Sequence, residues 1–250
     1  MKIVIDAGHG YYTFGKRCPD GSMREWEFNA VVANCVAQML AAYDGVETKF
    51  THDVTGKTDV LLSTRTKTAN AWGADILVSI HANAASGTWG IAEGIETFVY
   101  STKSAASVKL ANAVQAQLIA RTGRRNRGVK MGDLHMVRET KMPAILVECG
   151  FMDNREEAAL LKTDAYRRKC AEAIVAGIVE VYGLKARIKE AADVRVDKAN
   201  VVIDEKKAKD GVLIDGTVYV PLREVAEHFD ADIAWDNKTK TATITTKGAR

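Results

Sequence analysis

The 250-residue chain lacks the features that mark several large classes of protein. No stretch approaches the roughly 20 uninterrupted apolar residues that a membrane-spanning helix needs, so we expect no membrane insertion. No GxGxxG motif follows a strand and no GxxxxGKS or GxxxxGKT loop occurs, which leaves nucleotide chemistry without support. The absence of a GxSxG elbow argues in the same way against a serine hydrolase. The four cysteines form no CxxC pair, and we interpret them as reduced thiols: Cys18, Cys35, Cys149 and Cys170.

The charge balance and the first residues exclude further classes. A formal net charge of +3 and a pI near 8.6 fall far short of the basic footprint of a nucleic-acid-binding protein, although they suit an anionic cell-wall polymer. The opening MKIVIDAGHG has one lysine and an apolar run too short for the core of a secretory signal. We therefore expect a protein that is made in the cytoplasm and binds no nucleic acid.

Runs rich in β-branched residues alternate with helical patterns over the first 184 residues. The clearest helix follows Glu25, where apolar residues repeat at helical spacing as far as Tyr43. Strands that alternate with helices in this way predict an α/β fold, with a mixed, mostly parallel sheet covered by helices on both faces. The predicted strands are 2–6, 46–51, 75–80, 94–100 and 144–149, and the further predicted helices are 59–72, 104–121, 155–162 and 164–182.

The composition and the hydrophobic pattern of the sequence change after the first domain, which we expect to span 1–184. Residues 185–192 are charged and contain alanine, which predicts a linker. Short alternating runs then predict a small β-rich domain over 193–250, with turns at the Asp-Gly and Asn-Lys pairs. One helix is expected in this domain, beginning at Pro221, because proline is favourable at the first helical position.

Three short apolar runs each end on a side chain that can bind or assist a metal. IVIDAGHG carries His9, ILVSIHANA carries His81, and AILVECGF carries Glu148. Parallel strands deliver such residues to one edge of the sheet, where the sites of open α/β proteins lie. With Glu25 at the start of the clearest helix, the set contains two imidazoles, one carboxylate ligand and one spare carboxylate, as in a hydrolytic zinc centre. Asp6 is placed to orient the His9 ring as a hydrogen-bond acceptor.

Each of these residues also has a simpler interpretation. A histidine in a turn is often a surface residue, and a glutamate in the first turn of a helix interacts favourably with the helix dipole. Glu148 is the most informative residue, because a carboxylate within an apolar strand must be paired, protonated or functional. A buried salt bridge is the alternative to a role as the general base that takes a proton from metal-bound water.

Other polar residues are weaker candidates. The run Arg121–Lys130 offers charges for a substrate carboxylate or phosphate, but a solvated basic loop is the simpler interpretation. His135 lies shortly before the strand of Glu148 and is a candidate substrate contact. His52 and His228 are expected at the surface or at a helix end.

The first 184 residues resemble the zinc-dependent N-acetylmuramoyl-L-alanine amidases, the peptidoglycan hydrolases of autolysins and phage endolysins. The resemblance rests on four ordered segments: IVIDAGHG, REWEFN, STRTKTANAWGADILVSIHANA and MPAILVECGFMDNREEAALL. It implies a bound Zn2+ as cofactor and a catalytic carboxylate. The implied zinc ligands are His9, Glu25 and His81, and the implied catalytic residue is Glu148.

The resemblance also bears on neighbouring residues. Within REWEFN, Glu25 is preferred to Glu27 as the ligand because its place four residues before Asn29 matches the spacing in the family. Arg65 and Asn70 match family positions as well, and we expect both to hold structure.

A substrate and a setting follow from the resemblance. The implied substrate is bacterial peptidoglycan, cut at the amide bond between N-acetylmuramic acid and the L-alanine of the stem peptide. The enzyme would be an endolysin or an autolysin that acts on the wall after release through a holin or by lysis. A zinc carboxypeptidase or endopeptidase of the stem peptide is one alternative, and a non-catalytic wall-binding protein is another.

The tail of the chain, with DGTVYVPLREVAEHFDADIAWDNKTKTATI, resembles the small domain known as copper amine oxidase N-terminal-like. His228 is its only histidine and it has no cysteine, so we expect no copper-ligand cluster. We interpret it as a module for wall binding or for formation of a homodimer, and a stabilising appendage is the simpler alternative.

Overall fold

The β-branched runs of the sequence form the central strands of one mixed sheet. The computed structural model describes residues 1–101, 104–187, 197–214 and 216–247. Its contacts divide the chain into two units, Met1–Arg187 and Ile188–Arg250. The strands of the first unit are β1 (Lys2–Ala7), β2 (Glu47–Phe50), β3 (Ile76–Asn83), β4 (Ile95–Val99), β5 (Asn126–Met131) and β6 (Ala144–Phe151).

These strands lie in the order β2-β1-β3-β6-β4-β5. Neighbouring strands are parallel except for β4 and β6, which pair antiparallel. The sheet is therefore mixed and mostly parallel, and the predicted fold class is confirmed. Since β1, β3 and β6 are parallel neighbours at its centre, their carboxyl ends meet at one edge, where a site is expected.

Helices cover both faces of the sheet. They are α1 (Glu25–Leu40), α2 (Leu62–Trp72), α3 (Ala105–Thr122), α4 (His135–Arg138), α5 (Arg155–Leu161) and α6 (Asp164–Tyr182). The larger core joins buried residues of α1, α3 and α6 to Ile3 and Ile5. A second core joins Ala69 of α2 and Met136 of α4 to Val4 on the opposite face of β1. Alternation along β1 thus supplies apolar side chains to both layers.

Two elements differ from the predicted set. The strand β5 runs through 126–130, which the sequence analysis assigned to a basic loop, so that prediction is wrong there. The short helix α4 was not predicted. Predicted bounds shift elsewhere, because α1 ends at Leu40 rather than Tyr43 and α2 begins at Leu62 rather than at residue 59.

The second unit contains short strands and one helix. The helix α7 (Leu222–His228) has Pro221 as the residue before its first turn. The strands are β7 (Asp197–Ala199), β8 (Val202–Ile203), β9 (Lys206–Lys207), β10 (Gly211–Ile214), β11 (Thr217–Tyr219), β12 (Ala231–Asp236) and β13 (Thr241–Thr246). Predicted turns join β12 to β13 at Asn237 and β10 to β11 at Asp215. Asp215 itself lies outside the described residues, as do 188–192 of the predicted linker and 193–196 of the predicted second domain.

Two further expectations concern cysteines and membranes. All four cysteines are free thiols, and only Cys35 is partly exposed. Among the described residues, none of the helices combines the length and the apolarity that crossing a bilayer requires.

Candidate metal centre

Two of the candidate side chains lie side by side on neighbouring strands. His81 of β3 and Glu148 of β6 are register partners in the parallel pair. His9 follows the end of β1, the strand on the other side of β3. Parallel pairing therefore brings three residues that are far apart in the sequence to one edge of the sheet.

The turn after β1 brings His9 toward the ring of His81. His9 has a φ of 65°, a conformation that non-glycine residues adopt rarely and that occurs at sites where the surroundings enforce it. The preceding Gly8 leaves space for a ring, because a Cβ at this position would lie 2.1 Å from Cε1 of His81. Arg65 holds the turn by donating hydrogen bonds to the carbonyl oxygens of Ala7 and His9, which agrees with the structural role expected for it.

The helix α1 separates the roles of the two glutamates in REWEFN. Glu27 Oε2 accepts a hydrogen bond from the backbone N–H of Arg24, as in a capping box, and thereby stabilises the helix start. Glu25 instead points to the histidines, and its Oε1 accepts a hydrogen bond from Asn29 Nδ2 one helical turn later. Asn29 also donates to the carbonyl oxygen of Gly8, so one amide joins the helix to the turn of His9.

The three side chains converge on a common point. Glu25 Oε2 lies 3.3 Å from His9 Nε2, and Glu25 Oε1 lies 2.9 Å from His81 Nδ1. One ligand atom from each residue falls within 4.8 Å of the others. The two imidazole rings are almost perpendicular, with centroids 5.2 Å apart. Two nitrogens and a carboxylate in this arrangement are a donor set that suits a divalent metal such as zinc.

A series of hydrogen bonds from Asp6 through Ser79 to His81 determines which ring nitrogen of neutral His81 carries the proton. Ser79 donates its only hydroxyl proton to Asp6 Oδ2, over 2.7 Å. The Ser79 oxygen then accepts from His81 Nε2, 3.1 Å away. In the neutral ring Nδ1 therefore presents a lone pair to the Glu25 carboxylate, so that either a proton or a metal ion would stabilise the pair. The residues fit a metal on this ground.

These hydrogen bonds show that the role predicted for Asp6 is wrong. Asp6 was expected to orient His9, three residues away, but it acts on His81 through Ser79. The reason is the sheet register, which pairs Asp6 of β1 with Ser79 of β3. Ser79 in turn lies two residues before His81 and so shares its side of the strand.

Burial and neighbouring charges shift the pKa values of the three proposed ligands. Burial lowers the pKa of His9 to about 4, so its imidazole is neutral at pH 7. Burial alone would raise the pKa of Glu25, but chiefly the hydrogen bond and charge of His81 lower it to about 2. Burial also opposes the charged form of His81, yet the hydrogen bond and charge of Glu25 raise its pKa. A proton on His81 thus stabilises the site where a metal is absent.

Glu148 stands beside these ligands without belonging to them. It is half-buried, and its Oε2 atom is buried with no hydrogen-bond partner among the described residues. Burial raises its pKa to about 8, although the charge of His81 opposes the shift. The expected alternative, a buried salt bridge, is not seen for this carboxyl in the described part of the chain.

A cavity of about 380 Å³ opens onto these side chains. His9, His81 and Glu148 line it together, so the two histidine donors and the spare carboxyl face one space, while Glu25 is buried behind them. Apolar side chains form much of the rest of its wall. The further lining residues include Lys16, Asp59, Val60, Leu61, Leu62, Leu134, His135, Met136 and Leu146.

The family comparison agrees with this arrangement. A sequence profile described as N-acetylmuramoyl-L-alanine amidase matches residues 3–180, which contain the sheet, the converging ligands and Glu148. The chain belongs to this amidase family. A second profile, described as copper amine oxidase N-terminal domain, matches residues 195–250. Both family resemblances found in the sequence are thereby confirmed.

Individual amidases cover the same part of the chain. The N-acetylmuramoyl-L-alanine amidase CwlM of Bacillus licheniformis is 32% identical over 185 residues, which are 74% of this chain and 70% of the relative. The endolysin of Bacillus phage SPP1 is 35% identical over 203 residues, which are 78% of this chain and 71% of the relative. The catalytic domain of the amidase CwlV from Bacillus (Paenibacillus) polymyxa var. colistinus has a TM-score of 0.67 at 33% identity, covering 74% of this chain and 99% of that domain.

The basic run of this amidase-family chain does not reach the cavity. Arg127 Nε lies 2.6 Å from Glu96 Oε2, and Lys130 pairs with the same oxygen. Arg124 pairs with the buried Glu157. The charges of β5 and of the segment before it therefore stabilise neighbouring elements, and none of these residues lines the cavity.

The remaining candidates have separate outcomes. His135 lines the amidase cavity, with its Nε2 3.3 Å from Thr66 Oγ1, so it stays a candidate substrate contact. His52 is buried and its Nδ1 accepts a hydrogen bond from the backbone of Ala7, so its expected surface position is wrong. His228 is the last residue of α7, as expected. Asn70 bonds the backbone of 139–141 and thus holds structure, also as expected.

Proposed function

We propose that this chain is a zinc-dependent peptidoglycan hydrolase that cleaves the amide bond between N-acetylmuramic acid and the L-alanine of the stem peptide. Its biological role would be that of an endolysin or autolysin. The observation that carries the proposal is the convergence of two imidazoles and one carboxylate at a cavity that Glu148 also lines, with its buried Oε2 unpartnered among the described residues. The amidase and endolysin relatives support the choice of substrate.

His9, Glu25 and His81 would hold the zinc ion. Three protein ligands leave a coordination position for water or substrate, as catalytic zinc sites require. The bound ion would act as a Lewis acid toward the lactyl carbonyl and would acidify water. Asn29 fixes the Glu25 carboxylate, and the chain from Asp6 through Ser79 fixes the His81 ring. These contacts orient the ligands before any substrate arrives.

Glu148 would move the proton. Its free Oε2 accepts a proton from the attacking water and then delivers that proton to the nitrogen of the leaving L-alanine. A carboxyl whose pKa lies near neutrality can both accept and release a proton at physiological pH, and burial shifts Glu148 in that direction. The apolar wall of the cavity limits competing water around this transfer.

The test separates metal binding from catalysis. Glu148→Gln should retain zinc and lose turnover of purified peptidoglycan by about 100-fold or more, the contribution typical of a general acid-base group. His81→Ala should lose both zinc and turnover. Glu27→Gln is the matched control, because Glu27 binds only the helix start, and it should keep both. Near-normal wall digestion by Glu148→Gln contradicts the assignment of the base.

Product analysis separates the amidase from the alternatives. Mass spectrometry of digested wall should find free lactyl ends and stem peptides that begin with L-alanine. New amino termini inside the stem peptide would instead indicate a carboxypeptidase or endopeptidase. Turbidity loss that a chelator abolishes and added zinc restores would exclude a non-catalytic wall-binding protein.

The C-terminal unit is proposed to bind the wall or to form a homodimer. Its exposed apolar side chains, among them Tyr219, Phe229 and Trp235, support a role in association. Cosedimentation with purified wall and light scattering in solution test the two roles separately. A monomer that stays soluble in the presence of wall would leave the unit as a stabilising appendage.

A further inference from the structure

Four large apolar side chains are exposed on two loops that flank the cavity. Phe14 is 96% exposed and Tyr12 is 71% exposed on the loop after His9. Leu61 and Leu62, at the start of α2, are 72% and 50% exposed. We call these four residues the rim. Large apolar groups left in water beside a site indicate a binding surface.

Hydrogen bonds fix the two loops of the rim to each other. Thr13 Oγ1, between the two aromatic residues, donates to Asp59 Oδ2 over 2.6 Å. The same Thr13 oxygen accepts from the backbone N–H of Gly10, and Arg65 donates to the other oxygen of Asp59. The N–H of Tyr11 donates to the carbonyl oxygen of Gly56. The rim is thus a preorganised surface.

Aromatic packing beneath the rim also indicates that its loops are preorganised. Gly56 has a φ of 71°, and a Cβ at this position would lie 2.6 Å from the Trp26 indole ring. The Trp26 ring also makes an edge contact with Tyr11, whose ring contacts Tyr12. Two edge-to-face aromatic contacts therefore lie behind the exposed Tyr12.

The rim continues directly into the cavity. Leu61 and Leu62 line it, as do Lys16 and Asp59 from the two rim loops. The cavity volume of about 380 Å³ lies near the lower end of the range of roughly 300–1,000 Å³ for ligand pockets. It holds the reacting amide and its immediate neighbours but not a polymer, so the rest of a polymeric substrate must lie outside it.

We propose that the rim binds the sugar rings of the peptidoglycan glycan strand, an inference that rests on the proposed function. Aromatic rings are rigid and present flat apolar faces, which match the C–H faces of pyranose rings. All four rim side chains are uncharged, as are N-acetylglucosamine rings. The stem peptide carries free carboxylates, for which none of the four rim side chains offers a cation; Lys16 of the same loop lines the cavity instead. The rim therefore adds affinity for long glycan and acts as a specificity element of the amidase.

The test compares two substrates in the full chain. One is polymeric peptidoglycan, and the other is a soluble N-acetylmuramoyl-peptide with no further sugar. The double variant Tyr12→Ala/Phe14→Ala should lower kcat/KM on the polymer by about 10- to 100-fold, mainly through KM, as loss of aromatic anchors does. On the soluble substrate it should change kcat/KM by less than about twofold, since the cavity is untouched. Ile91→Ala is the matched control, because Ile91 is 95% exposed in the same unit but lies on neither of the two rim loops.

A binding experiment keeps the inference separate from the proposed function. Glu148→Gln with and without the rim substitutions is titrated with soluble, peptide-free glycan chains and, separately, with free stem peptide. Weaker glycan binding and unchanged peptide binding on loss of the rim are expected. Unchanged glycan binding, weaker peptide binding alone, or equal loss of activity on both kinetic substrates would overturn the inference. A wild-type chain that cleaves neither substrate would contradict the proposed function but not glycan binding by the rim.

Discussion

The two units of the chain differ in what they bury. In the first unit the apolar side chains of β1, β3 and β6 are buried, and Asp6 and Arg65 are buried among them. In the second unit Ala226 is the single buried apolar residue of the described part, whereas Phe229 and Trp235 are more than half exposed. The first unit has the dry, preorganised interior that a catalytic site needs. The second presents its apolar groups to its surroundings.

Ion pairs show the same difference. Arg65 Nη1 and Asp6 Oδ1 are 2.8 Å apart, and both side chains are 1% exposed. Lys247 Nζ and Asp230 Oδ1 are 3.0 Å apart in the second unit, but both side chains are more than half exposed. Similar distances therefore have different consequences, because water screens the second pair and not the first. Comparable substitutions in the two units test whether buried and exposed contacts contribute differently to the free energy of unfolding.

The largest effect on stability is expected from Asp6→Asn. Removing the carboxylate leaves the buried Arg65 guanidinium with only the partly exposed Asp59 as counter-charge, which should reduce the free energy of unfolding by about 3–5 kcal/mol. Lys247→Ala removes an exposed pair and should leave that free energy unchanged. Urea denaturation at pH 7 measures both variants, and equal losses would break the comparison between the units.

The same pair has a defined pH dependence. Burial alone would raise the pKa of Asp6, but the charge of Arg65 and hydrogen bonds from Ser79, Arg65 and Thr51 lower it below its ordinary value. The ionised carboxylate therefore stabilises the fold above the unfolded-state pKa of about 3.9. This contribution is lost as the pH falls through the lower folded-state pKa. Denaturation curves should show the difference between wild type and Asp6→Asn shrinking below about pH 4.

A second comparison uses one substitution in a strand of each unit. Ile76 in β3 is fully buried, and Ile76→Ala should cost about 2–5 kcal/mol of unfolding free energy through lost contacts and a cavity. Ile244 in β13 is 42% exposed, and Ile244→Ala should cost about 0.5 kcal/mol or less, as at a surface position. Thermal and urea unfolding of both variants give the two values. A large loss for Ile244→Ala would mean that β13 is covered in solution by another chain.

A smaller effect, on zinc affinity, is expected from a substitution beside the proposed ligands in the first unit. Ser79→Ala removes the hydrogen bonds that connect Asp6 to His81 and keeps all three proposed ligands. Loss of such a supporting contact should weaken zinc binding by about 10- to 100-fold. Ser63→Ala, on the exposed surface of α2, is the control. Competition with a coloured chelator measures zinc affinity, and equal affinities of the two variants would show that Ser79 does not orient His81.

Sequence patterns predicted those features whose physical cause lies within one segment. Apolar runs that end on His9, His81 and Glu148 predict strands with polar ends, and parallel pairing places those ends together. The preference for Glu25 over Glu27 came from the resemblance to the amidase family, whose spacing Glu25 and Asn29 match, and the hydrogen bond between these two residues gives that spacing a physical reason. The fold class followed from the same alternation of strands and helices.

Features that depend on pairing between distant segments were missed. The charges of Arg127 and Lys130 suggested a solvated loop, because their partner Glu96 lies on β4, some 30 residues earlier. Asp6 was assigned to His9 by proximity in sequence, whereas the register of β1 and β3 connects it to His81. The position of Ser79, two residues before His81 in a strand, was the available signal for that connection.

The smallest effect on chemistry is expected from removal of residues 188–250. Every residue that lines the cavity lies between Asp6 and Glu148, and the hydrogen-bond partners described for the ligands lie in the first unit. The similar CwlV catalytic domain is a structure of comparable extent. Zinc content should stay the same, and kcat/KM on a soluble N-acetylmuramoyl-peptide should change by less than about twofold, because no residue that lines the cavity is removed. Loss of zinc or of that turnover would show that the units are coupled, whereas a slower rate on intact wall alone would assign the second unit to wall association.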